Sequence, residues 1–284
     1  MMKDKNRAMP AKTIVSSRKA DSKRAGNGAF GLEKLRPLMQ DRIYMETSNP
    51  LLKREEAFSG AWDRTEPMSL QGVINKTGIL LLLCFGAAGF AWTHPDLRGP
   101  LLLVGLIGGF IACMVGIFKP AASPIAAPIY AVLEGLCLGA ISQLLELRYP
   151  GIAVNAMMLT FGVLGIMLVL YTTRTIRVTS GLVKGVVAAT AAVMLVYLVD
   201  IGLSFFGIRM PLLNESGPLG IGISLVIVGI AAFNLLIDFA VVEDGVSRGS
   251  PRYMEWYCGM ALLITLVWLY LELLRLLSKL RGKN

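Results

Sequence analysis

LGIGISLVIVGIAAFNLLIDFAVV, residues 219–242, decides the fold. A single ionisable side chain, Asp238, stands in this stretch, with Asn234 one helical turn before it. As a helix the run would rise about 36 Å, and a bilayer core of about 30 Å needs roughly 20 apolar residues. Either the segment crosses a membrane, with the aspartate held inside, or it is the buried helix of a large soluble core. Its surroundings separate the two.

The 284-residue chain is 55% hydrophobic and 17% charged, with a mean hydropathy of +0.62. Soluble domains carry about a quarter charged residues. Windows like the first recur at about 77–93, 101–118, 125–146, 152–171, 182–206 and 257–277, making seven with 219–242. Seven such runs joined by short polar turns leave little surface for water. Each must be helical, because backbone groups in lipid have to be satisfied within the segment. The expected architecture is therefore all-α: a polytopic membrane protein whose bundle of seven transmembrane helices occupies 73–281.

Residues 1–72 read differently. Up to residue 70 they hold 14 Lys and Arg against 9 Asp and Glu, with no sustained apolar period. The opening MMKDKNRAMPAKTIVSSRKADSKRAGNG is basic and poor in aromatics, a composition expected to be disordered. It lacks the apolar core of a secretory signal, so the first span is expected to direct insertion. Met45 offers a second candidate start, which would leave 1–44 outside the native chain.

Basic residues in short loops set orientation. With the N-terminus inside, the inner loops carry Lys119, then Arg174, Arg177 and Lys184, then Arg248 and Arg252. The outer loops carry only Arg98, Arg148 and Arg209. This pattern predicts a multi-pass protein of the cell's inner (plasma) membrane with a cytoplasmic N-terminus. The tail RLLSKLRGKN opposes it, since seven spans would put Arg275, Lys279, Arg281 and Lys283 outside. Either the last segment stops short of crossing or the earlier loops override it.

No Walker motif, dinucleotide fingerprint or HExxH is present, and GxGxS at Gly220–Ser224 opens an apolar span. The four cysteines sit in or beside the spans without metal-ligand spacing and read as small buried residues. A single histidine, His94, leaves no histidine-built centre. No enzyme activity and no cofactor are expected. The net charge of +9 suits anionic lipid and implies no nucleic-acid role. Small residues in GAAGFA, GLIGGF and GLCLGAIS predict close helix–helix approach.

The chemistry then rests on carboxylates. A charged group at mid-membrane costs at least about 2.5 kcal/mol, so it faces a cavity or a partner. Glu134, Asp200, Asp238 and Glu272 qualify. Glu134 lies about nine residues into its span, and Asp238 about nine from the end of a helix expected to run on to Ser247, so both sit roughly 14 Å deep. Asp200 and Glu272 lie near the outer ends of their spans. Asn234 shares the Asp238 face. Two carboxylates held together share a proton and part when both ionise. They also offer hard oxygens to calcium, which makes Asp238 and Glu134 candidate ligands for weakly held calcium. Arg275, three residues along the helix, could instead neutralise Glu272.

At these residues the chain resembles the Bax inhibitor-1/YccA family, in particular its bacterial branch with a SNPLLK-type N-terminus, here Ser48–Lys53. The matching stretches are INKTGILLL at 74–82, YAVLEGLCLGAIS at 130–142, NLLIDFAVVEDGVSRGSP at 234–251 and MEWYCGMALLITLVWLYLELLRLL at 254–277. The resemblance spans about 48–281. It implies seven helices with the last running through the middle of the others. Family members are described as pH-sensitive calcium leak channels, and one bacterial member binds and restrains a membrane protease. The leak members sense pH with two aspartates, on the sixth and last spans, about 25 residues apart. The first corresponds to Asp238, and by local pattern Glu272 takes the place of the second.

Glu272 stands farther from Asp238 along the chain than those two aspartates stand from each other. From a turn near residue 249, Asp238 would sit about 14 Å up its helix and Glu272 over about 30 Å, so straight antiparallel helices would keep them apart. A kink in the last helix or a partly re-entrant last segment would rescue that pair; alternatively Glu134 is the partner of Asp238. The expected function is a pH-sensitive cation leak, with calcium as the ion, using Asp238, Glu134, Glu272 and Asn234. The alternative is a regulatory protein in the lipid bilayer that binds a membrane protease or other membrane protein without transport.

Overall fold

The computed structural model describes residues 67–207 and 216–282. The chain divides into two units, Met1–Tyr44 and Met45–Asn284, and every described residue belongs to the second. The expected tail over 1–72, with its alternative start, lies almost wholly outside the described residues.

Seven long helices follow one another: α1 Leu70–Thr93, α2 Arg98–Phe118, α3 Ser123–Arg148, α4 Ile152–Thr172, α5 Ser180–Ser204, α6 Pro218–Ser247 and α7 Met254–Gly282. All seven are long and apolar enough to cross a membrane. Short 3₁₀ turns at Pro95–Leu97 and Pro120–Ala122 join α1 to α2 and α2 to α3. Among the described residues extended pairing is confined to one isolated bridge, Pro67 with Pro251. The fold is thus an all-α polytopic membrane bundle. α6 runs to Ser247 as its sequence predicts, and α7 begins three residues before its apolar window and outlasts it by five.

Polar side chains punctuate the helix ends. The Ser69 hydroxyl accepts from the Gly72 amide at 2.9 Å, and Thr179 does the same for Leu182 at 3.3 Å. Gly151, at φ 81°, turns the chain into α4 in the left-handed region open to glycine. The Glu146 carboxylate accepts from the Gly151 and Ala153 amides there, at 2.5 and 3.1 Å.

Small residues bring α1, α2 and α3 together. A Cβ on Gly105 of α2 would come 2.6 Å from the Leu133 carbonyl oxygen of α3. Gly135 and Gly139 of α3 similarly press against the backbone of α1 at Cys84 and Ala88. Approach this close is what small-residue faces in membrane helices allow. GAAGFA contributes through its alanines only: Gly86 and Gly89 look into open space.

α7 is the central element. It packs on α1, α3, α4 and α6, and it reaches α5 through a hydrogen bond from Tyr197 to Glu272. At the α6–α7 turn the chain is tied down from two sides. Met68 donates its amide to Ser250 O at 2.7 Å, and buried Glu255 accepts from both the amide and the hydroxyl of Ser69 at 3.0 Å. Ser123, opening α3, donates to Tyr253 O at 3.0 Å.

The other end of α7 resolves the conflict posed by its basic tail. Arg281 donates to the Pro150 carbonyl in the α3–α4 turn, and Lys279 donates to Gly220 O at the start of α6. The last helix therefore runs the full depth of the bundle, and its final turns lie with the loops that carry few basic residues. Lys279 and Arg281 are engaged by the bundle, and Arg275 pairs with Glu272, so these cations serve contacts within the fold.

Candidate functional site

Asp238, four residues after Asn234, is wholly buried at 0% exposure. The Thr265 hydroxyl of α7 donates to its Oδ2 at 2.5 Å. Asn234, itself buried, donates through Nδ2 to Thr190 Oγ1 of α5 and to Ile230 O, both at 2.9 Å. One face of α6 thus carries two polar side chains, one bound to α5 and the other to α7. Thr265 also lies 3.4 Å from Ala261 O of its own helix, a local bond that a membrane threonine commonly makes.

Further along α7 the polar residues recur at a fixed step. Glu272 follows Thr265 by seven residues and Lys279 follows Glu272 by seven, about two turns or 10 Å each, so the three share one face. Glu272 is buried at 2% exposure. Its Oε1 accepts from the Tyr197 hydroxyl at 2.8 Å and from Trp268 Nε1 at 3.2 Å, and Arg275 Nη1 stands 3.7 Å away. Arg275 also lies over the Tyr197 ring, 4.6 Å from its centre. Glu272 Oε2 is buried with no hydrogen-bond partner among the described residues. Lys279, 5% exposed, donates to Gly220 O at 3.0 Å and to Ser224 Oγ at 2.8 Å.

These contacts fix the register of α6 against α7. Ser224 precedes Asp238 by fourteen residues, and Lys279 follows Thr265 by fourteen. The two antiparallel helices therefore keep step over four turns, and α7 is continuous throughout. That register sets buried Ala231 opposite Glu272. Asp238 and Glu272 belong to successive levels of one polar column, and no kink joins them.

Glu134 lies elsewhere, which corrects the expected inner pair. Its Oε2 is against Gly109 of α2, 3.2 Å from where a Cβ would stand. The thiols of Cys84, Cys113 and Cys137 lie within its electrostatic reach. Equal depth on two helices did not bring the two acids together, because α3 turns Glu134 toward α1 and α2 while α6 turns Asp238 toward α7. No group of three or more His, Cys, Asp or Glu among the described residues is placed to hold a metal ion. Asp200 is half-buried near the end of α5.

Asp238 takes a hydrogen bond from Thr265, 27 residues on. Leak members of the family carry their second acid at about that distance. Here a hydroxyl occupies the reachable position, and the available chemistry is a carboxylate–hydroxyl pair. Reading charge alone passes over Thr265, Thr190 and Tyr197. For Thr265 a signal was nonetheless present, in its seven-residue spacing from Glu272 and of Glu272 from Lys279.

A bundle of seven membrane-length helices with a buried carboxylate on the sixth defines a class of integral membrane protein. Within that class, the family model described as Bax inhibitor 1 like matches residues 17–282, and the chain belongs to that family. The match begins ahead of the SNPLLK stretch that opens the visible resemblance. No curated protein and no solved structure matches the chain.

Proposed function

We propose that this protein is a pH-sensitive cation leak, with calcium as the expected ion, in which Asp238 is the titrating group and Thr265 its partner. The observation that supports this reading is the Asp238–Thr265 bond, 2.5 Å long and wholly buried between α6 and α7. An ionised carboxylate enclosed in hydrocarbon costs at least about 2.5 kcal/mol. The neutral acid suits the closed bundle, and the ionised acid suits a hydrated arrangement that admits a cation. Two states of one element, biased by a proton, are what a pH-gated path requires.

Reconstituted protein in liposomes loaded with a calcium dye tests the proposal. Flux is expected to be greater at pH 8 than at pH 6, and Asp238→Asn is expected to remove that difference. Liposomes no leakier than empty ones at any pH from 6 to 8 would end the leak reading. They would leave a regulatory protein that binds a membrane protease or another membrane complex.

A further inference from the structure

Lys279 is a buried cation bound by oxygens. Its ammonium rests on a backbone carbonyl, Gly220 O, and a hydroxyl, Ser224 Oγ, ligands of the type that replace water around a hard cation. It stands three residues from the end of α7, beside the first turn of α6. Two turns deeper lies Glu272, with one carboxylate oxygen engaged and Oε2 buried without a partner among the described residues. Two turns beyond that lie Thr265 and Asp238. The column thus runs acid, acid and cation, with the cation at the outlet.

We infer that Lys279 is a tethered plug: its ammonium occupies the oxygen site through which an inorganic cation would leave the column, and Glu272 is the acidic station behind it. This rests on the leak reading and names its far gate. The plug is intramolecular, so it competes at high effective concentration and need not bind tightly. Arg275 stands at the same level as Glu272, 42% exposed in its side chain and already engaged by that carboxylate and by the Tyr197 ring. Among the groups of the column it leaves Lys279 as the cation held by backbone and hydroxyl oxygens.

The test uses the full chain in dye-loaded liposomes. Lys279→Met removes the ammonium and is expected to raise calcium flux about tenfold, the scale of losing hydrogen bonds to a charge. Ser224→Ala, which removes one ligand and spares folding, should give a smaller rise, and Lys279→Arg should match the wild type. A second readout needs no flux. In a chain with its four cysteines replaced by alanine, Ala231→Cys places a thiol opposite Glu272. A small cationic thiol reagent added from the Lys279 end should label it slowly with Lys279 and rapidly with Lys279→Met.

If Asp238→Asn alters wild-type flux while Lys279→Met and Ser224→Ala change neither flux nor labelling, the plug is overturned and the leak stands. If no sample passes calcium, the leak reading fails. Labelling then decides the seal: equal rates with and without Lys279 overturn it, and faster labelling without Lys279 upholds it.

Discussion

At the scale of single residues, the protein places its polar chemistry where the surrounding sequence is most apolar. Asp238 and Asn234 stood out in the sequence because a charge and an amide interrupt an apolar run, FNLLIDFAVV, and both are buried. Thr265 was not, because a threonine in a membrane helix can satisfy itself on its own backbone and shows no charge to notice. The pairing of Asp238 with Glu134 failed for a related reason: depth along a helix is countable from sequence, whereas the direction of a side chain depends on how each helix is rotated by its packing. Thr265→Val should remove the hydroxyl donor to Oδ2 while keeping side-chain volume. A hydroxyl bond is worth about 1.5–3 kcal/mol to an ionised carboxylate and about 0.5–1.5 kcal/mol to the neutral acid, so the pH midpoint of calcium flux should move while the maximum flux is kept. An unchanged midpoint would show that Thr265 does not sense the state of Asp238. Glu272→Gln keeps shape and the Tyr197 bond but removes the charge beside Arg275. It should lower flux without abolishing its pH dependence, and loss of the pH dependence would make Glu272 the sensor instead.

At the scale of elements, two contacts organise the bundle. The first is the α1–α3 seam, where Gly135 and Gly139 meet the α1 backbone. GLCLGAIS announced this seam by composition, yet GAAGFA, similar in composition, turns its glycines away. Small residues reveal a capacity for close approach, and only the partner helix fixes which ones use it. Gly135→Ala sets a methyl against the Cys84 carbonyl. Overpacking of this kind costs about 1–3 kcal/mol, so thermal unfolding in detergent should shift down by several degrees. Gly86→Ala, facing open space, should leave it unchanged. A similar loss from both would contradict the seam. The second contact is the tie between Ser69 and Glu255, with two bonds of 3.0 Å to a carboxylate oxygen. Glu255→Ala leaves Ser69 without both bonds and should cost about 1–3 kcal/mol, read as faster proteolysis near residue 67. The acid was visible in the MEWYCG motif, but its partner lies 186 residues away, a distance that local reading does not bridge.

At the scale of the whole molecule, seven helices, their order and the long reach of α6 followed from hydropathy alone, because the bilayer imposes one length and one backbone geometry on every span. The central position of α7 followed from family resemblance, and its contacts with α1, α3, α4 and α6 agree with it. The basic tail opposed the loop count because that count assumes each cation faces water or lipid headgroups, whereas Lys279 is buried on Gly220 O and Arg281 is held by the Pro150 carbonyl. The fold therefore predicts that thiols introduced at Pro150 and at exposed Leu280, near the end of α7, are labelled from the same side of the membrane, opposite to one introduced at Lys119. Labelling of positions 119 and 280 from one side would mean that α7 does not cross. The central claim, that a single buried carboxylate gates a cation path, is tested most directly by calcium flux into dye-loaded liposomes at pH 6 and pH 8, comparing wild type with Asp238→Asn. The account predicts greater flux at pH 8 in the wild type and equal flux at both pH values in the variant. A wild-type flux that rises on acidification, or one that Asp238→Asn leaves untouched, would contradict it.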